Sequence, residues 1–366
     1  MKELEKNIIN MYGQKGKQFL VDLPHLIAQI KAEYGLSDLK PVNNLSYNHV
    51  LSGFQDKQAI ILKLGLGNDG FKREAAALKA FSGFGAVTVL AEKEGMLLLE
   101  RAISGASLKT YFPEKEYDAI HIMGGCLKKL HQAAPPFLKI FPHIKDWLMV
   151  LNKDSSIPDY YLNKARKLRD TLLETSSASV LLHGDLHHDN ILQQGDDWVV
   201  IDPKGVIGEP AYEVAAFIRN PMPKLLELDN ALKIIEHRIH HFAKILEISE
   251  HRIWNWCFVQ AVLAWAWALE DNGDVSYFQQ LTEIFDKKIS VWGTRKTQID
   301  TSLDRNLIVT QSPQCANLPA KPLELRFEAL TIKDLEILHT WFQVPHVKKW
   351  YAKGLDFSKK DIELNV

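Results

Sequence analysis

The feature that most constrains this chain is a short β-type segment, residues 180–202, set within a long region of helical periodicity. Apolar residues on both sides of a polar turn at 195–197 predict two antiparallel strands joined by a three-residue loop. In that register, residue 194 pairs with 198 and residue 191 pairs with 201. We therefore expect Asn190 and Asp202 to emerge side by side at one end of the hairpin.

The residues at this hairpin end are suited to phosphoryl transfer. The amide oxygen of Asn190 and the carboxylate of Asp202 suit Mg²⁺, which takes few protein ligands and completes its shell with phosphate oxygens. Asp185 precedes Asn190 by five positions, the spacing between the base and the metal-binding amide in phosphoryl-transfer sites. The pattern predicts Asp185 as the catalytic base and Asn190 and Asp202 as metal ligands.

Two other interpretations of these polar residues stay open. The segment can be a polar loop that leads into an ordinary hairpin. One interpretation makes His183, His187 and His188 ligands of zinc, and the helical spacing of His237, His240 and His241 could also bind a metal. The first group has no Cys or Glu at ligand spacing. The second lacks the Glu of the His-Glu-x-x-His motif, so a solvated helix face is expected there.

A nucleotide site of this kind also needs a lysine on a strand, to hold phosphates, and an acidic residue on the next helix, to hold the lysine. Lys63 ends an apolar run, and Glu74 lies within a helical stretch at 71–81. No glycine-rich loop opens the first predicted hairpin, so a backbone cradle there would use Ser46 and Asn48. The alternative is a surface lysine and a solvated glutamate.

Composition excludes several classes of protein. Lys and Arg total 44 against 45 Asp and Glu, a formal charge of −1, so no global positive field would hold nucleic acid. Residues 1–20 lack the apolar region of a signal peptide, and the longest apolar run, 258–269, is shorter than the ~20 residues of a membrane span. Three widely spaced cysteines suit a reducing compartment. We expect a cytoplasmic protein with no membrane partner and leave its oligomeric state open.

The periodicity divides the chain into a region of helix and strands, a larger helical region, a linker rich in Thr, Ser, Gln, Asn and Pro, and a short last segment. We assign these to residues 1–106, 107–293, 294–321 and 322–366. In the first segment, helical spacing precedes a β-hairpin that is expected to turn between Gly53 and Lys57. In the second segment, only residues 180–202 interrupt the helical pattern.

Two motifs resemble the aminoglycoside phosphotransferase family, in its streptomycin 6-kinase and hydroxyurea phosphotransferase branch. They are His-Gly-Asp-Leu-His-His-Asp-Asn at 183–190 and the run that begins Ile-Asp-Pro-Lys at 201–204. The likeness covers roughly residues 45–292. It implies an α+β, bilobal protein-kinase-like fold with a small β-rich N-terminal lobe and a larger helical C-terminal lobe. It also implies transfer of the γ-phosphoryl group of ATP to a hydroxyl of a cationic, streptomycin-type aminoglycoside, with GTP as an open alternative.

The resemblance also implies roles for individual residues. Lys63 and Glu74 match the pair that grips the nucleotide, Asp185 the catalytic base, and Asn190 and Asp202 the Mg²⁺ ligands. The connection between the lobes contains Glu100 and Ala102, whose backbone groups would contact adenine. Lys204 has no counterpart in the protein-kinase pattern and is left without a role.

Substrate choice is expected to fall to the helical lobe. Residues 262–271 resemble a segment of the same branch, and the predicted substrate residues are Trp265, Glu270, Asp271 and Glu213. Carboxylates beside aromatic faces would suit a guanidinium-bearing aminocyclitol through charge pairing and cation–π contact. The alternative is a buried aromatic helix with an acidic end.

The last segment, 322–366, resembles the opening strand and helix of aminoglycoside 6′-N-acetyltransferases of the GNAT superfamily. The sequence ends before any glycine-rich loop for acetyl-CoA, so we expect no acetyl transfer. Three other functions are kept as alternatives: a kinase of another small alcohol, a non-catalytic scaffold, and an acetyltransferase half completed by another chain.

Overall fold

A computed structural model describes residues 2–42, 48–66, 69–134, 140–176 and 178–300. Within these ranges, side chains are described for residues 4–290. The described residues fall within one compact unit, Met1–Asp304. Among the described helices, none has both the length and the apolarity needed to cross a membrane.

In its described residues, the N-terminal lobe contains three helices and a five-stranded antiparallel sheet. The helices are α1 (Lys2–Tyr12), α2 (Gln14–Tyr34) and α3 (Asp69–Ala80); the strands are β1 (Leu36–Pro41), β2 (His49–Gln55), β3 (Gln58–Leu64), β4 (Val89–Lys93) and β5 (Met96–Glu100). The strand order is β1-β2-β3-β5-β4. Helix α2 ends at Gly35, whose left-handed backbone (φ 63°) favours glycine. The predicted hairpin forms from β2 and β3, but it turns at residues 56–57 and Gly53 lies inside β2.

The alternation of β3 sets the position of the candidate site. Ile60, Leu62 and Leu64 are fully buried and pack in one core with residues of α1 and α2, such as Leu4 and Phe19. Since successive side chains of a strand point to opposite faces, Lys63 lies on the other face. That face packs against α3, through a second core that includes Phe71 and Leu97. The pattern of β3 therefore directs Lys63 towards α3.

The C-terminal lobe is mostly helical. Its helices are α4 (Glu116–Leu130), α5 (Ile144–Leu148), α6 (Asp159–Glu174), α7 (Pro210–Ile218), α8 (Ala231–Leu246), α9 (Glu250–Glu270) and α10 (Ser276–Asp300); its strands are β6 (Ser104–Ser107), β7 (Val180–Leu182), β8 (Ile191–Gln194), β9 (Asp197–Val200) and β10 (Val206–Gly208). The strands form two small sheets, β6-β8-β9 and β10-β7. The predicted bilobal α+β fold, with a sheet-rich first part and a helical second part, is confirmed.

Helix α9 is the central element of the larger core. Ser249 caps its N-terminus by accepting a hydrogen bond from the backbone N–H of Arg252. The helix is buried on all sides from Ile253 to Ala266, as expected for a helix that is apolar all round. Helix α7, which packs against α9, begins at Pro210, whose missing N–H leaves no hydrogen bond unmade in the first turn.

The register of the central hairpin differs from the predicted one. In the structure Gln194 pairs with Asp197 and Ile191 pairs with Val200, so the loop contains only residues 195 and 196. Gly195 has a left-handed backbone (φ 58°), and glycine at the first position of a two-residue loop is typical of a type II′ turn. The three-residue loop was wrong by one position, and residue 190 pairs with 201 instead of 202.

The described chain remains helical to Asp300, past the start of the segment predicted as a linker at 294. The rest of the predicted linker and the acetyltransferase-like segment, 322–366, lie outside the described residues.

Candidate active site

The two lobes meet at a buried lysine between two carboxylates. The Lys63 ammonium donates to Glu74 Oε2 at 2.6 Å and to Asp202 Oδ1 at 2.6 Å. Burial alone would lower the pKa of Lys63, but the two carboxylates outweigh it, and the net pKa is raised above its ordinary value. Lys63 therefore stays charged. The predicted pair of Lys63 and Glu74 is present. Lys63 also contacts Asp202, in the segment after β9.

Asp202 follows β9 in a left-handed conformation (φ 60°), which turns its side chain away from the strand alternation. Its second oxygen, Oδ2, accepts a hydrogen bond from Lys204 Nζ at 2.8 Å. Burial would raise the pKa of Asp202, but the two ammonium groups outweigh it and hold the pKa below its usual range. Asp202 is thus a carboxylate with one lysine on each oxygen.

The loop 183–190 is held by its own side chains and by the segment after β9. His183 Nδ1 accepts from the Asp185 backbone N–H at 3.3 Å, and this sets the tautomer in which Nε2 donates to the Ile201 carbonyl at 2.8 Å. Burial lowers the pKa of His183 to about 4, so the ring is neutral at neutral pH. The Asn190 amide nitrogen donates to the Asp185 carbonyl at 2.8 Å. These hydrogen bonds fix the backbone of Asp185 and the side-chain amide of Asn190.

Glu213 on α7 binds the backbone of the same loop. It is 1% exposed, and its two oxygens accept hydrogen bonds from the backbone N–H groups of His183 (2.6 Å) and Gly184 (2.9 Å). Burial raises its pKa to about 7 despite these bonds. Glu213 was predicted among the substrate residues. The structure places it under the loop instead, because both oxygens are used by backbone donors.

Asp185, the predicted base, is partly exposed and has two cationic or ionisable neighbours. Arg219 Nη2 lies 4.0 Å from its Oδ1, and His187 Nε2 lies 3.8 Å from its Oδ2. Burial lowers the pKa of His187, which favours the neutral ring. Arg219 follows α7 and also donates to Gln260 at 2.9 Å. Arg219 is not predicted from the sequence, because nothing local marks an arginine after a helix as a neighbour of a residue 34 positions earlier.

A fully buried arginine fixes the far end of the loop. Arg238 on α8 donates two hydrogen bonds to Glu116 and others to the carbonyls of Phe217 and Ile218. The ring of Phe217 stacks on His188 at 3.9 Å. Arg238 is 0% exposed, and such a buried cation requires this complete set of partners. The His188 ring is therefore part of the packing under the loop.

The remaining predicted substrate residues lie at or near the C-terminal end of α9. Trp265 is 4% exposed and packs with Tyr161 at 6.2 Å, so it belongs to the core. Glu270 and Asp271 are exposed, and Glu270 pairs with Lys153 at 2.6 Å. The structure does not bring Trp265 together with the exposed carboxylates.

Two tryptophans connect this end of α9 to the loop 183–190. Trp267 packs edge-on against Trp147 at 6.2 Å. Trp147 lies so close to Gly184 that an added Cβ would sit 2.9 Å from its ring. Trp147 is not predicted from the sequence, because its place beside Gly184 is set by tertiary packing. The aromatic pair leads from the loop that carries Asp185 towards Glu270 and Asp271.

The predicted nucleotide residues lie along the N-terminal lobe and its connection. Asn48 lies beside Gly65, where an added Cβ would be 2.5 Å from its Oδ1. Glu100 accepts from Gln194 Nε2 at 2.8 Å, which ties the connection to β8. Ala102 is buried. Ser46 lies outside the described residues.

The residues that could hold Mg²⁺ are Asp202 and Asn190. The Asn190 amide nitrogen is committed to the Asp185 carbonyl, so the amide oxygen is the atom that can bind a cation. Carboxylate and amide oxygens fit Mg²⁺, which uses few protein ligands and takes the rest from phosphate and water. Over the described part of the chain, no three or more His, Cys, Asp or Glu side chains are arranged around a possible metal position. The zinc alternatives therefore gain no support.

The fold is protein-kinase-like, and the family match identifies a phosphotransferase that acts on hydroxyl groups. Residues 38–272 match the family of aminoglycoside/hydroxyurea antibiotic resistance kinases. The match covers more than half of the chain, and the protein belongs to this family. The predicted enzyme class is confirmed. The acetyltransferase-like segment lies outside the matched residues.

Two characterised relatives align over much of the chain. Streptomycin 3″-kinase from Klebsiella pneumoniae is 29% identical over 200 residues, which cover 52% of this chain and 73% of that protein. Hydroxyurea phosphotransferase from Kitasatospora aureofaciens is 26% identical over 270 residues, which cover 71% of this chain and 77% of that protein.

Solved structures with the same fold include two kinases of small molecules. A thermostable mutant of aminoglycoside phosphotransferase APH(4)-Ia, in a ternary complex with ADP and hygromycin B, aligns with a TM-score of 0.56 at 16% identity, covering 72% of this chain and 97% of that chain. Choline kinase LicA from Streptococcus pneumoniae aligns with a TM-score of 0.54 at 15% identity, covering 72% of this chain and 99% of that chain. At these identities the likeness concerns the fold.

Proposed function

We propose that this protein is an ATP- and Mg²⁺-dependent O-phosphotransferase whose acceptor is a streptomycin-type aminoglycoside. The observation that carries the proposal is the buried Lys63–Glu74 pair, whose lysine also contacts Asp202 in the other lobe. A lysine held in this way sits where phosphates of a nucleotide between the lobes would lie. Asp185 and Asn190 stand on the adjacent loop, joined by the hydrogen bond from the Asn190 amide to the Asp185 carbonyl.

The residues of the N-terminal lobe bind and orient the nucleotide. Lys63 neutralises phosphate charge, and Glu74 keeps Lys63 extended from β3. The backbone around Glu100 and Ala102 contacts the base, while Asn48, beside Gly65, is placed to face the phosphates. Asp202 and Asn190 would hold Mg²⁺, which would supply positive charge to offset that of the phosphate groups.

Asp185 orients the acceptor hydroxyl and accepts its proton as the bond to phosphorus forms. Arg219 Nη2 lies 4.0 Å from Asp185 Oδ1 and helps to orient this carboxylate. The backbone bonds to Glu213 and His183 fix the loop, so the position of Asp185 is set before the substrate arrives.

The substrate class rests on the relatives and on the surface near the end of α9. Glu270 and Asp271 are exposed carboxylates, and the Trp147–Trp267 pair connects their helix to Gly184. Carboxylates next to aromatic rings suit a guanidinium-bearing acceptor.

A small neutral acceptor such as hydroxyurea is the second candidate. Arg219 beside Asp185 and Lys153 on Glu270 favour it, since both reduce the negative charge available to a cationic substrate.

The experiment is an ATP-consumption assay with Mg²⁺ against streptomycin, kanamycin, spectinomycin, hydroxyurea, choline and homoserine, repeated with GTP. Asp185→Asn is the control for turnover at this site. Streptomycin-dependent turnover that is lost in the variant supports the proposal. Turnover with hydroxyurea alone would replace the aminoglycoside with the second candidate, and nucleotide binding without turnover on any acceptor would defeat both.

A further inference from the structure

The carboxylate of Asp202 lies between two ammonium groups that differ in their other contacts. Lys63 holds Oδ1 at 2.6 Å and Lys204 holds Oδ2 at 2.8 Å. Lys63 has a second anionic partner, Glu74. Among the described residues, Lys204 forms an ion pair with Asp202 alone. Lys204 would therefore lose its counter-charge if Asp202 turned to another cation.

The backbone of Lys204 is fixed to the loop that carries Asp185. Its N–H donates to the His183 carbonyl at 2.7 Å. Its Cβ lies next to Gly184, at 3.3 Å from where a Cβ on that glycine would be. The side chain is 45% exposed, unlike that of Lys63, which is 10% exposed. A long side chain with a fixed base and an exposed end can move its ammonium without disturbing the loop.

A divalent metal on Asp202 and an ammonium at hydrogen-bond distance from the same carboxylate repel each other strongly. Lys63 can stay on Glu74 when the metal binds, whereas Lys204 has to find another anion. The anion that arrives with the metal is the nucleotide phosphate.

We propose that Lys204 is a second phosphate-binding cation of this site. In the free enzyme it neutralises Asp202 together with Lys63. When the nucleotide and its metal bind, Lys204 leaves Asp202 and contacts the terminal phosphate, where it stabilises the charge of the group in transfer. This inference rests on the proposed phosphotransferase function, and it assigns a role to a residue that the protein-kinase pattern lacks.

The test uses Lys204→Met, with Lys204→Arg to keep the charge and Lys128→Met as a matched control on an exposed lysine of α4. The first measurement is Mn²⁺ binding by electron paramagnetic resonance without nucleotide. Because a competing cation is removed from Asp202, Lys204→Met is expected to bind Mn²⁺ roughly tenfold more tightly than the wild type. Lys204→Arg and Lys128→Met should bind as the wild type does. Unchanged or weaker Mn²⁺ binding in Lys204→Met would overturn the proposal.

The second measurement compares the affinities for ATP and ADP by calorimetry with Mg²⁺ present. Lys204→Met should lose the preference for ATP over ADP, since only ATP has the terminal phosphate, while Lys204→Arg keeps it. A preference equal to that of the wild type would overturn the proposal. Both measurements are independent of the acceptor, so failure to find a phosphorylated acceptor would defeat the proposed function and leave these two results to decide the role of Lys204.

Where an acceptor is found, kinetics provide a third test. Removing one charge-stabilising group from a transition state costs about 10²–10³ in kcat. We expect a loss of that order in Lys204→Met, a smaller loss in Lys204→Arg, and an acceptor KM within about threefold of the wild type. A rise in KM at constant kcat would place Lys204 in substrate binding and overturn the assignment.

Discussion

The Lys63 ammonium lies 2.6 Å from Asp202 although 139 positions separate the two residues. The contact joins β3 of the N-terminal lobe to the segment after β9 of the C-terminal lobe. The same ammonium contacts Glu74 on α3 at 2.6 Å. One side chain thus aligns three separate parts of the chain at the position proposed for the nucleotide phosphates.

Lys63→Met is expected to weaken ATP binding at least tenfold and to reduce kcat, because the phosphates lose their buried cation. The variant should still fold. Burial already raises the pKa of Glu74, so without Lys63 this carboxyl takes up a proton instead of remaining as a buried charge. Calorimetry with ATP measures the effect, and Lys57→Met, in the exposed turn between β2 and β3, is the control. Normal ATP affinity in Lys63→Met would contradict the assigned role.

Asp185→Asn should reduce kcat by about 10²–10⁴ while the affinity for ATP changes less than about threefold, because the amide cannot accept the proton of the acceptor. Asp189→Asn is the matched control. It lies in the same loop and pairs with Lys109 at 3.0 Å, so only a small effect is expected. Parallel loss of ATP binding and turnover in Asp185→Asn would mean that Asp185 has a structural role.

Glu213→Gln is expected to lower both stability and kcat even though it removes a buried ionisable group. Two backbone N–H groups point at the two oxygens of Glu213, and a glutamine offers only one oxygen, so its NH₂ group would face one of these donors. We expect a loss of about 1–3 kcal/mol in the free energy of unfolding, the cost of one unsatisfied buried donor. Urea denaturation and the steady-state assay measure the two effects. A variant as stable and as active as the wild type would show that the two bonds do not hold the loop.

Gly184→Ala and Gly195→Ala separate backbone strain from side-chain crowding. Both glycines have a left-handed backbone, with φ of 87° and 58°, so each alanine costs roughly 1–2 kcal/mol of stability. A Cβ at Gly184 would also sit 2.9 Å from Trp147, whereas a Cβ at Gly195 meets nothing within 4 Å. Gly184→Ala should therefore lose activity and more stability, and Gly195→Ala should keep its activity. Equal activities would exclude a functional contact between Trp147 and the loop.

The two buried histidines His131 and His183 are expected to destabilise the fold as the pH falls from about 6.5 towards 4. Burial lowers their pKa values to about 4, so at these two groups the unfolded chain binds more protons than the folded one across this window. The stabilisation is fully present above the unfolded pKa and lost as the pH falls. Each group can contribute up to about 3 kcal/mol. Glu213, whose pKa burial raises to about 7, acts in the opposite direction.

Urea denaturation at several pH values measures this dependence. A variant in which His183 is replaced, such as His183→Gln, should show a shallower slope than the wild type, whereas His25→Gln, on the exposed side of α2, should not. An identical slope in His183→Gln would mean that His183 titrates normally in the folded state.

The parts of the site that follow from local pattern could be predicted from the sequence. The alternation of β3 places Lys63 opposite the apolar residues that face α1 and α2, and the helical spacing of α3 brings Glu74 to the same side. The order of Asp185, Asn190 and Asp202 along the chain was also readable. The hairpin register was missed because the type II′ turn at Gly195 needs one residue fewer than the loop that was assumed.

The contacts that depend on packing between distant elements could not be read from the sequence. In the sequence, Glu213 is an acidic residue close to the Ile-Asp-Pro-Lys run, which suggests a substrate residue. Only the packing of α7 against the loop 183–190 shows that its oxygens accept hydrogen bonds from the backbone. Arg219 and Trp147 reach the loop from other elements, and no local periodicity marks them. The sequence places Lys204 two residues after Asp202 but does not indicate its role. Its ion pair with Asp202 is known only from the structure.

The helices at the start of the chain have a consequence for its minimal size. Sequence similarity to the family begins at residue 38, yet α1 and α2 cover the apolar face of β3 and its neighbours through Leu4, Ile8, Phe19 and Leu23. A protein truncated to the matched residues would expose this apolar face of the sheet to water, and we expect such a protein to self-associate. The part of the chain that matches the family therefore begins more than thirty residues after the start of the part needed for folding, and α1 and α2 belong to the foldable unit although they lie outside the match.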